Sequence, residues 1–140
     1  MQTFLPSASF TTSARQLDMK RLGKQRIECY QILGALNGAI DKPGWVNHPA
    51  TKMWRGHGLS LIQYGIVMCR EWIGRGYRDT TCEKIAGLVP LFRRETDDPP
   101  WLGNEAFHAA HRSNLLRKDP EWYSQYGWDE RDDLPYVWPA

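Results

Sequence analysis

No run of 18 apolar residues occurs in the 140-residue chain, so no segment is expected to span a membrane. Met1 to Pro6 lacks the basic region and long apolar run of a secretion signal, and a cytoplasmic protein is expected. There is no internal repeat, no low-complexity segment, no β-hairpin signal, and no apolar–polar alternation long enough to support a sheet. Cys29, Cys69 and Cys82 are odd in number and widely separated, which argues against a disulfide framework and for buried thiols in a reducing compartment. No P-loop, Gly-x-Ser-x-Gly, Cys/His catalytic signature or dinucleotide fingerprint is present, and the residues call for no cofactor and no obligate protein partner. The net charge of only +2 excludes a coating protein that binds nucleic acid with its whole surface, so any such contact must be a local patch.

What is abundant is tryptophan, with seven residues, and aromatics in that number either fill a small core or stack on flat ligands. The length suits a single domain, residues 1–140, able to bury a core without disulfides or metal. The most informative stretch is Ser13 to Leu36. At helical spacing, Arg15, Asp18, Leu22, Arg26, Cys29, Leu33 and Leu36 fall on one stripe. Charges are costly to desolvate without partners, so this stripe is expected to leave the core and open into a site for something charged. Lys20, Arg21 and Lys24 project from other faces of the same segment, and the simplest ligand for these cations is a polyanion. A solvated helix face is the plainer alternative.

The pattern predicts an all-α fold of three main helices with an N-terminal arm and long irregular loops. The first helix runs from a Ser13 cap to about Asn37. Asp41 to Gly58, punctuated by Pro43, Gly44, Pro49, Gly56 and Gly58, reads as a loop carrying Asn47, His48 and Trp54. A second helix follows, with Leu59, Ile62, Ile66, Cys69 and Ile73 on its core face, and ends near Gly74 to Gly76. Tyr77 to Gly103 is expected to be irregular apart from a short helix near Thr81 to Leu88. Asn104 caps a third helix through about Lys118, a helical turn restarts at Glu121 to Tyr123, and an aromatic tail from Trp128 to Ala140 docks on the body.

His108 and His111 stand three apart on the third helix, but no further ligand accompanies them, so no metal site is expected. His111, Arg112, Asn114, Arg117 and Lys118 are better read as donors to phosphate oxygens, with a solvated face as the alternative. Trp45 and Trp54 read first as core, with base stacking second, and Trp54 is kept as a candidate for DNA contact.

Several runs resemble the phage-type pyrimidine-dimer DNA glycosylases, the small endonuclease V enzymes of ultraviolet repair. They are Leu17 to Arg26, Gly56-His57, Arg75-Gly76-Tyr77, Glu105-Ala106 and Trp122 to Gly127. An uncharacterised bacterial and phage branch is resembled more closely, through Arg21 to Arg26, Asn47 to Ala50, His111 to Pro120 and Leu134 to Pro139. The resemblance implies an all-α domain whose basic concave face holds kinked duplex DNA. It also implies attack on a nucleotide sugar carbon by the α-amine of an N-terminal Thr, with a Glu of the first helix supporting base release and elimination. Here Gln2 follows Met1 and is bulky enough to keep Met1 in place, and the Glu position aligns with Gly23. Arg26 matches a phosphate-contacting Arg of the family.

Glu28 points about 140° away from Gly23 on a helix and is read as a poor substitute. Asp18 is therefore expected to be the acid/base group, with His48 and the Met1 amine as further catalytic candidates. Arg15, Arg21, Lys24, Arg26, Asn47, Trp54, His111, Arg112, Asn114, Arg117 and Lys118 are the expected DNA contacts. The expected reaction is N-glycosidic cleavage at a damaged or modified pyrimidine flipped from double-stranded DNA. Two alternatives remain open: modification of hypermodified pyrimidines, and a non-catalytic module that binds distorted DNA.

Overall fold

The computed structural model describes residues 1–139; Ala140, the last residue of the expected tail, lies outside the described residues. Those residues form eight α-helices and two short 3-10 turns, with no strand among them. The long helix expected from Ser13 is in fact two. Ser9, not Ser13, caps α1 (Phe10–Gln16) by accepting the Thr12 N–H, and Ser13 is buried within α1 with its Oγ donating to Ser7 O. Leu17 and Asp18 are extended, which drives Leu17 fully into the core and lets the Asp18 carboxylate cap α2 (Met19–Leu36) at the Arg21 N–H. The helical phase is broken there, so Arg15 does not continue the stripe of α2.

The expected loop from Asp41 to Gly58 contains two short helices, α3 (Pro43–Val46) and α4 (Pro49–Trp54). Pro43 and Pro49 start these helices, where a missing N–H costs nothing. Next come α5 (Gly58–Gly74), α6 (Cys82–Ala86), a 3-10 turn at Val89–Phe92, α7 (Glu105–Lys118), α8 (Pro120–Tyr123) and a 3-10 turn at Ser124–Tyr126. Asn104 caps α7 as expected, and Gly127, at φ 67°, ends the last turn. No helix among the described residues is long and apolar enough to cross a membrane.

The core is centred on α2 against α5. Gly65 lets α2 come so close that a Cβ there would stand 2.5 Å from Cys29 Sγ, and Gly23 faces Trp72 in the same way, at 2.9 Å. The buried centre of α5 lies at Leu61, Tyr64 and Met68, which rotates Ile73, expected in the core, out to solvent.

The N-terminal arm is threaded through this body by its main chain. Phe4 N–H donates to Gln25 Oε1 at 2.8 Å, and Tyr64 Oη–H donates to Phe4 O at 2.8 Å. Trp54 Nε1–H reaches Thr3 Oγ1 at 2.9 Å. Leu5 is held by two imidazoles of α7: its N–H donates to His111 Nδ1, and its carbonyl accepts from His108 Nδ1, both at 2.8 Å. Gly103 N–H donates to His108 Nε2, so the network assigns the proton of His108 to Nδ1.

Both rings must be neutral for this pairing. Burial depresses His108, and burial followed by the neighbouring His108 takes His111 down to about 3. In the unfolded chain His111 returns to about 6.5. Below that pH the unfolded state binds a proton that the folded state does not, so stability is lost as pH falls from about 6.5 toward 3, by up to about 1.4 kcal/mol per unit. Denaturant unfolding between pH 7 and 4 is expected to show this slope. His111→Gln, which keeps an acceptor for Leu5, is expected to flatten it.

Candidate functional site

A cleft of about 360 Å³ opens where the arm crosses α2. Its floor is one face of α2, where Lys20, Lys24 and Glu28 follow at four-residue spacing with Arg21 and Gln25 beside them. Met1, Gln2 and Phe4 of the arm form one wall, and Lys118 of α7 and Tyr136 of the tail form the other. The tail is tied to α7: Leu134 N–H donates to Ser113 Oγ, Asn114 Nδ2 to Leu134 O, and Arg117 to Asp132 O.

Glu28 is the carboxylate of this cleft and is buried. Its Oε2 accepts from Gln2 N–H at 3.3 Å and Gln25 Nε2 at 3.2 Å. Its Oε1 faces the Met1 nitrogen at 4.0 Å and Lys24 Nζ at 3.7 Å. The fixed oxygen orients the carboxylate, and the other is left toward an amine. The cations are close enough to feel one another: partial burial, then Arg21, Arg117 and Lys24, depress Lys118 from its ordinary value. His48 caps α4 through Nδ1 and stands edge-on to Trp138, with ring centres 5.9 Å apart. Burial and then the Met1 amine lower its pKa, while Glu28 opposes them, so His48 sits within electrostatic reach of both groups. A primary amine beside an oriented carboxylate, ringed by Lys and Arg, can combine nucleophilic attack and proton transfer with phosphate binding.

Of the residues expected from sequence, Met1, Arg21, Lys24 and Lys118 line the cleft. Arg15, Asp18 and Arg26 are not gathered there. Arg15 borders a separate recess with Thr11, Arg70 and Glu71. Asp18 is spent structurally: it caps α2, pairs with Arg21 at 3.2 Å, and exchanges two hydrogen bonds with Tyr123, whose hydroxyl donates at 2.5 Å. Arg26 ion-pairs with Asp79 and lies 4.4 Å over the Trp72 ring, on the opposite side of α2 from Glu28. Its position on the apolar stripe reflects this distant partner rather than a ligand.

Trp54, fully buried, and His111 both serve the arm. Asn114 is buried against Ala110 O and the tail, and Arg117 divides its donors between Asn114 and Asp132 O. Arg112 is taken up by Glu105, Glu130 and Pro6 O. Asn47 is exposed outside the cleft. The expected phosphate-binding face of α7 is therefore mainly the tail's docking face.

Glu28, Gln25, Gln2 and Tyr136 were not among the expected site residues. The four-residue spacing of Lys20, Lys24 and Glu28 was the available signal. Glu28 does point away from Gly23, but Gly23 faces Trp72, and the arm approaches the other side of the helix. Among the described residues, Cys69, Asp79 and Cys82 bring ligand atoms within 4.8 Å of one another. Both Asp79 oxygens are already engaged, one by Arg26 and one by Cys82 N–H, so the group reads as a structural junction.

No curated protein and no solved structure matches the chain. The model of the pyrimidine dimer DNA glycosylase family matches residues 1–84, a span that holds the arm, α2 with its Lys20–Glu28 face, and α5. With that match over more than half of its length, the chain belongs to the pyrimidine dimer DNA glycosylase family.

Proposed function

We propose that this protein is a DNA glycosylase that removes a damaged or modified pyrimidine from duplex DNA, with the Met1 α-amine as nucleophile and Glu28 as its carboxylate partner. The observation that carries the reading is the Met1 nitrogen facing Glu28 Oε1 at 4.0 Å inside a cation-lined cleft, within the family-matched residues. The amine attacks C1′ of the flipped nucleotide. The N-glycosidic bond breaks with its electron pair leaving on the base, which takes up a proton. With its proton lost to Glu28, the nitrogen then expels O4′: the C1′–O4′ bond breaks with its electron pair leaving on O4′, which takes up a proton, and the C1′–N bond becomes an iminium whose positive charge Glu28 stabilises. Lys20, Arg21, Lys24 and Lys118 hold the flanking phosphates and carry the salt dependence of binding.

Borohydride added to the protein on duplex containing an abasic site is expected to trap a covalent adduct that peptide mapping places at Met1. Glu28→Gln is expected to keep duplex binding and lower turnover by about 10²-fold or more. Free base released without a trapped adduct, or an adduct on a lysine, contradicts the assignment of Met1. Duplex binding with no product in any substrate favours a non-catalytic module that binds distorted DNA.

A second measurement separates the cleft from the other face of α2. Lys24→Ala and Lys118→Ala are each expected to reduce the slope of log affinity against log salt by about 1. Arg26→Ala is expected to leave that slope unchanged and to lower the unfolding midpoint instead, because its partner is Asp79. A salt slope that responds to Arg26 and not to Lys24 moves the DNA to the other side of the helix.

A further inference from the structure

The proposed glycosylase chemistry uses no sulfur, yet all three cysteines are free thiols and two of them meet where α5 packs on α6. Cys69 is fully buried on α5, whereas Cys82 opens α6 and is half-buried. Their Sγ atoms and an Asp79 carboxylate oxygen stand within 4.8 Å of one another. A disulfide needs about 2 Å between its sulfurs, and turning a cysteine from one staggered rotamer to the next moves its sulfur by about 3 Å. The gap is within the reach of side-chain rotation.

The backbone around the pair is already held in place. Cys82 N–H donates to Asp79 Oδ2 at 2.8 Å, and the buried Asp79 carboxylate ion-pairs with Arg26 of α2. Arg26 in turn lies 4.4 Å over Trp72, on the same helix as Cys69. The segment that carries Cys82 is thereby tied at Asp79 to the helix pair that carries Cys69. Cys29 is engaged elsewhere: it is fully buried, and its thiol donates to Leu61 O at 3.2 Å. The two facing thiols differ in access. Burial, followed by the neighbouring Asp79 carboxylate, pushes the Cys69 thiol well up and keeps it protonated, so an oxidant arriving from solvent meets Cys82 first.

We propose that Cys69 and Cys82 are a peroxide-reactive thiol pair that closes to an intramolecular disulfide and staples the start of α6 to α5. With hydrogen peroxide as oxidant, the Cys82 thiolate attacks a peroxide oxygen, the O–O bond breaks, and Cys82 is left as a sulfenic acid while the departing hydroxide becomes water. The Cys69 sulfur then attacks the Cys82 sulfur. The S–S bond forms as the S–O bond breaks, the hydroxide leaves as water, and the Cys69 proton passes to the Asp79 carboxylate and on to solvent. Two thiols and one peroxide thus give one disulfide and two waters. The resolving thiol also spares Cys82 from further, irreversible oxidation. The bond closes the loop from 69 to 82, which restricts the unfolded chain and holds the Asp79 segment against Trp72. The pair lies on the Arg26 side of α2, away from the cleft, and nothing in its chemistry depends on DNA.

The test treats the reduced, full-length protein with hydrogen peroxide in slight excess, blocks the remaining thiols with N-ethylmaleimide under denaturing conditions, and maps the peptides. Wild type is expected to give a monomer with one disulfide joining Cys69 to Cys82, Cys29 blocked, and full return of the free thiols under dithiothreitol. The oxidised protein is expected to melt roughly 5 °C above the reduced one. Cys69→Ala is expected to leave Cys82 as a sulfenic acid that dimedone captures, and Cys82→Ala to give neither a disulfide nor a dimedone adduct. A Cys29–Cys69 bond, a bond between two molecules, Cys82 carried on to a sulfinic acid with Cys69 still free, or three unmodified thiols overturns the pair. A Cys69–Cys82 bond that lowers the melting temperature overturns the staple.

Discussion

The main chain of Leu5, gripped between two neutral imidazoles, determines where the first residues of the chain can go. His111 accepts its N–H and His108 donates to its carbonyl, so the arm is fixed by its backbone on both sides, whatever its side chains are. From that fixed point Phe4 and Gln2 find partners on α2, at Gln25 and Glu28, and Thr3 finds one on α4, at Trp54. The Met1 nitrogen is thereby delivered to the edge of α2 beside a carboxylate. An extended terminal segment without such ties would fray, because the ordering entropy of each residue must be offset by contacts. Here the whole middle of the protein, α2, α4, α5 and α7, contributes a hydrogen bond to that segment.

The second constraint is electrostatic. Lys20, Arg21, Lys24 and Lys118 crowd one concave surface, and partial burial followed by the neighbouring cations disfavours the charged form of Lys118. Cations packed together destabilise the free protein slightly and become favourable when a polyanion arrives. Glu28 offsets some of that charge through Lys24 and is oriented by Gln2 N–H and Gln25. The same cleft therefore holds groups suited to phosphate and to proton transfer. Arg26, although close in sequence, belongs to a different task, pinning the Asp79 segment against Trp72.

Helix identity was legible where the local code is strong. The spacing on α5, the Asn104 cap and the Asp119-Pro120 stop gave α5 and α7 close to their observed bounds. The break at Leu17-Asp18 was not legible, because a buried Leu and a capping Asp also fit a continuous helical stripe; the deciding contact, Tyr123 with Asp18, comes from more than a hundred residues away. The same holds for Arg26, whose partner is set by tertiary packing. Pro43 and Pro49 were read as loop punctuation although they begin helices, since proline permits both at a first turn. For the proposed site, the basic residues of α2 are legible as a segment, but the cleft opens on another face of the helix than the Arg15–Arg26 stripe. An apolar stripe bearing charges suggests a pocket, whereas the cleft beneath the arm lies on the polar stripe, and only the path of the arm distinguishes them.

The claim at the centre of this account is that DNA enters on the Lys20–Glu28 face of α2, beneath the arm. Backbone amide chemical-shift mapping during titration with an abasic-analogue duplex tests it most directly. The account predicts that the largest perturbations fall on Gln2 to Phe4, on Lys20 to Glu28, and around Lys118 and Tyr136. Perturbations centred instead on Trp72, Asp79 and Cys82, with the arm unmoved, would contradict it.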